Sequence, residues 1–65
     1  MSFGSNLRII RKNKGITLKE LSFELGVSIN YLSKLELDKA KLKPEFIMRL
    51  CKVLEIDIND LFVNE

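Results

Sequence analysis

Histidine and tryptophan are absent from this 65-residue sequence, and cysteine and proline occur once each, as Cys51 and Pro44. Each scarcity closes off a class of protein. With no histidine and a single thiol, the usual zinc ligand sets cannot be assembled. A lone cysteine also rules out a disulfide within the monomer, so a chain this short must rely on good packing, with self-association as a further aid. No apolar run approaches the ~20 residues of a membrane-spanning helix, and the first residues lack the apolar stretch of a signal peptide. The expected location is the cytosol. There is no glycine-rich phosphate loop, and the acids fall mainly at caps and on helix surfaces. The chain is therefore expected not to be an enzyme, and to need no cofactor, metal or small-molecule ligand.

What is present is an apolar fraction of 46% without a polar low-complexity run, repeat or linker. This is the composition of one folded domain over residues 1–65. The net charge of +2 conceals an asymmetry. Residues 1–43 carry nine Lys/Arg and four Asp/Glu, a balance of +5, whereas residues 44–65 balance at −3. A molecule polarised in this way turns its basic half toward a polyanion.

Within the basic half, residues 17–36 read as two short amphipathic helices. Thr17 and Glu20 form a capping box, and Ile16 with Leu21 a hydrophobic staple, at the start of the first. Leu18, Leu21 and Leu25 share a face, Ser22 is small beside it, and Gly26 permits the left-handed stop. Ser28 caps the second helix, with Val27 stapling onto Leu32. Leu32 and Leu35 face inward, while Asn30, Ser33 and Lys34 lie on the opposite face at 100° per residue. Such a pair is a helix-turn-helix with a polar outward face.

Leu21, Ser22, Leu25, Gly26, Val27, Leu32 and Leu35 occupy the apolar, small and glycine places that two steeply crossed helices require. On these places the chain resembles the lambda-repressor and Cro type of helix-turn-helix domain, in particular its compact phage regulators. The framing segments LRIIRKNKGIT and IDINDLF look like that family's first helix and last helix. The resemblance spans Leu7 to Phe62. It implies an all-α, five-helix fold with the motif formed by helices 2 and 3. It also implies a structural ion pair between Arg11 and Glu36, the glutamate that closes the recognition helix. Two departures stand out. Leu18 replaces the glutamine many relatives carry at the start of helix 2, and Asp38 stands where a glycine is usual.

Elsewhere, Met1 to Ser5 reads as a tail, with Ser5 or Asn6 capping a helix from about Asn6 to Lys14 that turns Leu7 and Ile10 inward and stops at Gly15. Phe23 falls on the solvent side of helix 2, where it either covers Phe3 or contacts a partner. Residues 37–44 read as a loop carrying Lys39, Lys41 and Lys43 along one edge. Pro44 opens helix 4, which runs to Leu54 with Phe46, Leu50, Val53 and Leu54 inward. Cys51 reads as a small buried apolar residue, with a redox role as the alternative. Asp57 caps a last helix whose Leu61 and Phe62 close the core.

The function this implies is sequence-specific binding of a double-stranded DNA operator, as a transcriptional regulator of repressor type. Helix 28–36 would enter the major groove, with Asn30 suited to adenine and Lys34 to guanine. Ile29 suits either a thymine methyl or the core, and Ser33 either a base or a phosphate. Thr17, Lys19, Ser28, Tyr31, Lys39, Lys41 and Lys43 are the phosphate candidates, which position without specifying. One helix reads too few base pairs to single out an operator, so a homodimer on an inverted repeat is expected. Leu42, Ile47 and Ile58 are the apolar residues left for its interface, in the region where the compact repressors pair. The other reading is a protein-interaction module, an antagonist or antitoxin-type subunit, that keeps the fold with little DNA binding.

Overall fold

The computed structural model describes residues 2–62. These form α1 (Phe3–Asn13), α2 (Leu18–Leu25), α3 (Ile29–Glu36) and α4 (Pro44–Leu54), followed by a 3₁₀ helix at Ile58–Phe62. The expected five-helix count is thus corrected to four α-helices and one 3₁₀ helix. The last segment is held by Asp57, whose carbonyl accepts the Asp60 amide at 2.9 Å and whose Oδ1 accepts the Asn59 amide at 2.9 Å. Bonds three residues apart make the tighter helix, which suits a five-residue piece.

The start of α1 also differs from expectation. Its cap is Ser2, not Ser5 or Asn6. The Ser2 Oγ accepts the Ser5 amide at 3.1 Å and the Ser5 Oγ accepts the Ser2 amide at 3.1 Å, a capping box made from two serines. The segment read as a tail is therefore helical from Phe3. Asn6, freed from capping, is buried and donates through Nδ2 to the Leu61 carbonyl at 2.9 Å. Phe62 is 49% exposed and does not close the core; its ring lies 5.6 Å from that of Phe3. Phe3 thus has its partner at the other end of the chain, and Phe23 stands 84% exposed, leaving the partner-contact alternative for it.

All four α-helices end in the same way. The amide five residues past a carbonyl in the last turn bonds back to it: Ile16 to Arg11, Val27 to Ser22, Lys39 to Lys34 and Ile56 to Cys51, at 2.8–3.1 Å. The residue before each, Gly15, Gly26, Asp38 or Glu55, is left-handed. This is the Schellman arrangement, in which the last carbonyls find donors as the chain reverses. Glycine meets the demand at two ends. Asp38 and Glu55 accept a strained φ of 60° and 56°, which ordinarily costs about 1–2 kcal/mol.

The reversals gather one core: Leu7, Leu21, Leu25, Leu32, Leu35, Phe46, Leu50, Leu54 and Leu61 are buried. Val53, Ile10, Leu18 and Cys51 pack partly against it. Burial raises the Cys51 thiol above its ordinary pKa, followed by the charges of Asp57 and Asp60. A thiol kept protonated is a poor nucleophile, consistent with a packing role.

A close backbone approach lies between α1 and α3. A Cβ on Gly4 would stand 2.5 Å from the carbonyl oxygens of both Leu35 and Glu36. Only glycine lets the first turn of α1 rest on the last turn of α3. Gly4→Ala should therefore destabilise the domain by about 1–3 kcal/mol through overpacking, seen as a lower urea midpoint. A midpoint equal to that of the wild type would show that the two helices are not held this tightly.

Candidate nucleic-acid interface

Both helices of the 17–36 motif begin on hydroxyl caps. Thr17 Oγ1 accepts the Glu20 amide at 3.0 Å while Glu20 Oε1 accepts the Thr17 amide at 2.9 Å. The Glu20 carboxyl is held below its ordinary pKa, by the Thr17 amide first and by the Thr17 hydroxyl second. Ser28 Oγ accepts the Tyr31 amide at 3.0 Å. Thr17 and Ser28 are exposed, so both sit at the surface while serving as caps.

The far end of α3 is fixed from α1. Arg11 donates through Nε to Glu36 Oε2 at 2.6 Å and through Nη2 to Glu36 Oε1 at 3.3 Å. Its Nη1 donates to the Ile16 carbonyl at 2.7 Å. Just beyond, Asp38 Oδ1 accepts the Gly4 amide at 2.9 Å. The Ser2 hydroxyl and then this amide hold the Asp38 carboxyl below its usual value. An acid at the first turn of α1 also complements the helix dipole. Because its folded pKa is depressed, Asp38 stabilises above the ordinary carboxylate value and loses that contribution as pH falls from there through the lowered one.

With both ends held, the outer face of α3 is left to solvent. Asn30 and Lys34 are exposed, Ser33 is half-buried, and Ile29 is 44% exposed. These four base-reading candidates share α3. Lys19, Lys39, Lys41 and Lys43 are exposed as well. Tyr31 is more constrained than a free phosphate donor. Its ring packs edge-on to Phe46 with centroids 5.5 Å apart, and its hydroxyl donates to the Lys41 carbonyl at 3.1 Å. It ties the lysine loop to α3. Leu18 packs partly against the core, which accounts for an apolar residue at that place.

The apolar candidates for an interface divide. Leu42 and Ile47 pack partly against the core, so the inward stripe does use them, while Ile58 is 48% exposed. Met48, at 71%, and Leu37, at 58%, are more exposed than any of the three, and Met48 was not foreseen because it interrupts no pattern on α4.

Sequence reasoning also missed Arg49. From α4 its Nη2 donates to the Leu25 carbonyl at 2.6 Å, capping the end of α2 next to the Gly26 turn. No local signal announces a bond between residues 24 apart.

Comparison with known proteins places this architecture. The sequence profile described as "Helix-turn-helix" matches residues 7–61. The HTH-type transcriptional regulator SlrR of Bacillus subtilis is 35% identical over 60 residues, covering 91% of this chain and 40% of SlrR. The chain thus spans well under half the length of that relative. Among solved structures, the restriction-modification controller protein C.AhdI from Aeromonas hydrophila superposes with a TM-score of 0.86 at 30% identity, over 92% of this chain and 91% of that one. The master regulator for biofilm formation SinR, solved in complex with DNA, superposes with a TM-score of 0.84 at 29% identity, over 94% and 98%. With its profile match, its relatives and its fold in agreement, the chain belongs to the Cro-type helix-turn-helix family of transcriptional regulators.

Proposed function

We propose that this protein is a sequence-specific double-stranded DNA-binding regulator of repressor type, acting in the cytosol. The observation that carries the proposal is the polar face of α3. Asn30 and Lys34 are exposed on a helix whose two ends are fixed by the Ser28 cap and the Arg11–Glu36 pair. A helix presented in this way enters the major groove with its residues already placed, and little ordering is left to do on binding. The similarity to SinR, itself solved with DNA, supports the reading. Among the described residues no helix is long and apolar enough to cross a membrane.

In this reading the roles divide by chemistry. The Asn30 amide matches adenine N6 and N7, and the Lys34 ammonium matches guanine O6 or N7. Ile29 meets a thymine methyl and Ser33 a base edge. Lys19, Lys39, Lys41 and Lys43 meet phosphates, with Thr17, Ser28 and Tyr31 beside them. The protein-interaction reading draws its support from the exposed Phe23 and Leu37. Against it stands the basic edge beside a polar helix face, which a protein contact would not call for.

Selection of bound sequences from a random duplex pool tests the proposal, with an enriched inverted repeat expected and an unenriched pool contradicting it. On the selected site, Asn30→Ala and Lys34→Ala should each relax one or two base positions and cost about 1–3 kcal/mol per lost bidentate contact. Replacing Lys39, Lys41 and Lys43 by alanine should weaken selected and random duplexes alike, lowering the salt slope by about one unit per phosphate contact. Equal losses on both duplexes for Asn30→Ala would deny it a reading role.

The proposed working unit is a homodimer with half-sites about one helical turn apart. Ile58, 48% exposed, with the smaller partly exposed parts of Leu42 and Ile47, is the apolar surface proposed for its interface. Ile58→Glu should abolish cooperative two-to-one binding of the palindrome while single half-site binding persists, as read by sedimentation with titrated DNA. Undiminished cooperativity would move the interface elsewhere.

A further inference from the structure

A groove opens where the turn of the motif faces α4. Val27, Tyr31 and Phe46 give it an apolar floor, and Lys41, Lys43 and Arg49 give it a cationic rim. Glu45 is the acid on its lining, so the cations outnumber it. Arg49 holds an unusual position in this groove. It is an exposed residue, yet its guanidinium is anchored through Nη2 to the Leu25 carbonyl at 2.6 Å, the hydrogen bond it makes among the described residues. A guanidinium carries five N–H donors in a fixed fork, so one bond to a carbonyl leaves the others available.

We propose that this groove takes the sugar–phosphate backbone of the strand flanking the bases read by α3, with Arg49 bridging the Leu25 carbonyl and a backbone phosphate. The proposal rests on the DNA-binding reading and extends its interface from the motif onto α4. The chemistry of the groove fits that occupant on both counts. Deoxyribose is the apolar part of the backbone and suits the floor of Val27, Tyr31 and Phe46. The phosphate carries the charge and suits the rim, where the planar guanidinium matches its oxygens two at a time. The groove is continuous with the reading face, because Ser28, which caps α3, lines it too. An arginine already held by a carbonyl loses less side-chain freedom on meeting a phosphate than a free lysine does. The bridge has a positional consequence as well. It ties the phosphate to the last turn of α2 beside Gly26, a contact that anchors the motif without reading a base.

The test uses the selected duplex, titrated against wild type, Arg49→Gln and Arg49→Lys across salt concentrations, with single methylphosphonates scanned along the flanking strand. Arg49→Gln retains a donor for the Leu25 carbonyl but no charge. It should melt like the wild type, keep the same base preferences, and show a salt slope lower by about one unit. At one flanking position the methylphosphonate should weaken the wild type and leave Arg49→Gln unaffected. If Arg49→Gln does not fold, Arg49→Lys carries the same test: its point charge should show a smaller penalty than the wild type at that position. A salt slope and methylphosphonate profile identical in wild type and variants would overturn the proposal and leave Arg49 as a cap of α2 alone. Absence of salt-dependent binding of the wild type to any duplex would instead overturn the DNA-binding reading itself.

Discussion

The arrangement of this domain depends on one buried ion pair. Arg11 and Glu36 are 9% and 7% exposed at their side chains and meet through two hydrogen bonds, the shorter at 2.6 Å. Taking two charges out of water costs several kcal/mol per ion, and mutual attraction offsets this only where geometry is good and the remaining donors are used. Both conditions are met, since the third arm of the guanidinium reaches the Ile16 carbonyl. The pair therefore joins three segments at once: α1 through Arg11, α3 through Glu36, and the entry to α2 through Ile16. No apolar contact of the leucine core fixes rotation so narrowly, because dispersion attraction tolerates sliding and a bidentate fork does not.

Around this joint, smaller devices hold α3 along its length. Ser28 caps its start, Tyr31 fastens it to the lysine loop, and Gly4 lets α1 lie directly on its last carbonyls. Asp38 then accepts the Gly4 amide, so the residue that ends α3 also serves the first turn of α1. What the core and these ties do not use is the polar face of Asn30, Ser33 and Lys34 with the lysine edge beside it. In the proposed function this remainder, left once α3 has been fixed at both ends, is the surface that meets DNA, and a helix held at both ends suits that role.

Local chemistry made much of this legible. The Thr17–Glu20 box, the Ser28 cap, the Gly26 turn and the span of α4 follow from side chains that act within four or five residues of themselves. The ion pair, 25 residues apart, was reachable only through resemblance to a family. What escaped were devices whose partners are distant or unusual. A serine answering a serine at the start of α1 lacks the glutamate that marks a capping box. Gly4 looked like tail because its reason for being glycine lies in α3. Arg49 and Asn6 act on backbone carbonyls, which leave no trace in sequence at all. The last segment was read as an α-helix because apolar spacing alone does not separate five residues of α from five of 3₁₀.

The most direct measurement of the central claim is a double-mutant cycle on Arg11 and Glu36, with Arg11→Met and Glu36→Leu followed by urea unfolding. If the two charges hold the joint together, each single variant strands a buried charge and loses about 3–5 kcal/mol, while the double variant recovers much of the loss. The recovered domain should still unfold cooperatively. Strictly additive losses, or single variants as stable as the wild type, would contradict the account by showing that α1, α3 and the entry to α2 are held together without the pair.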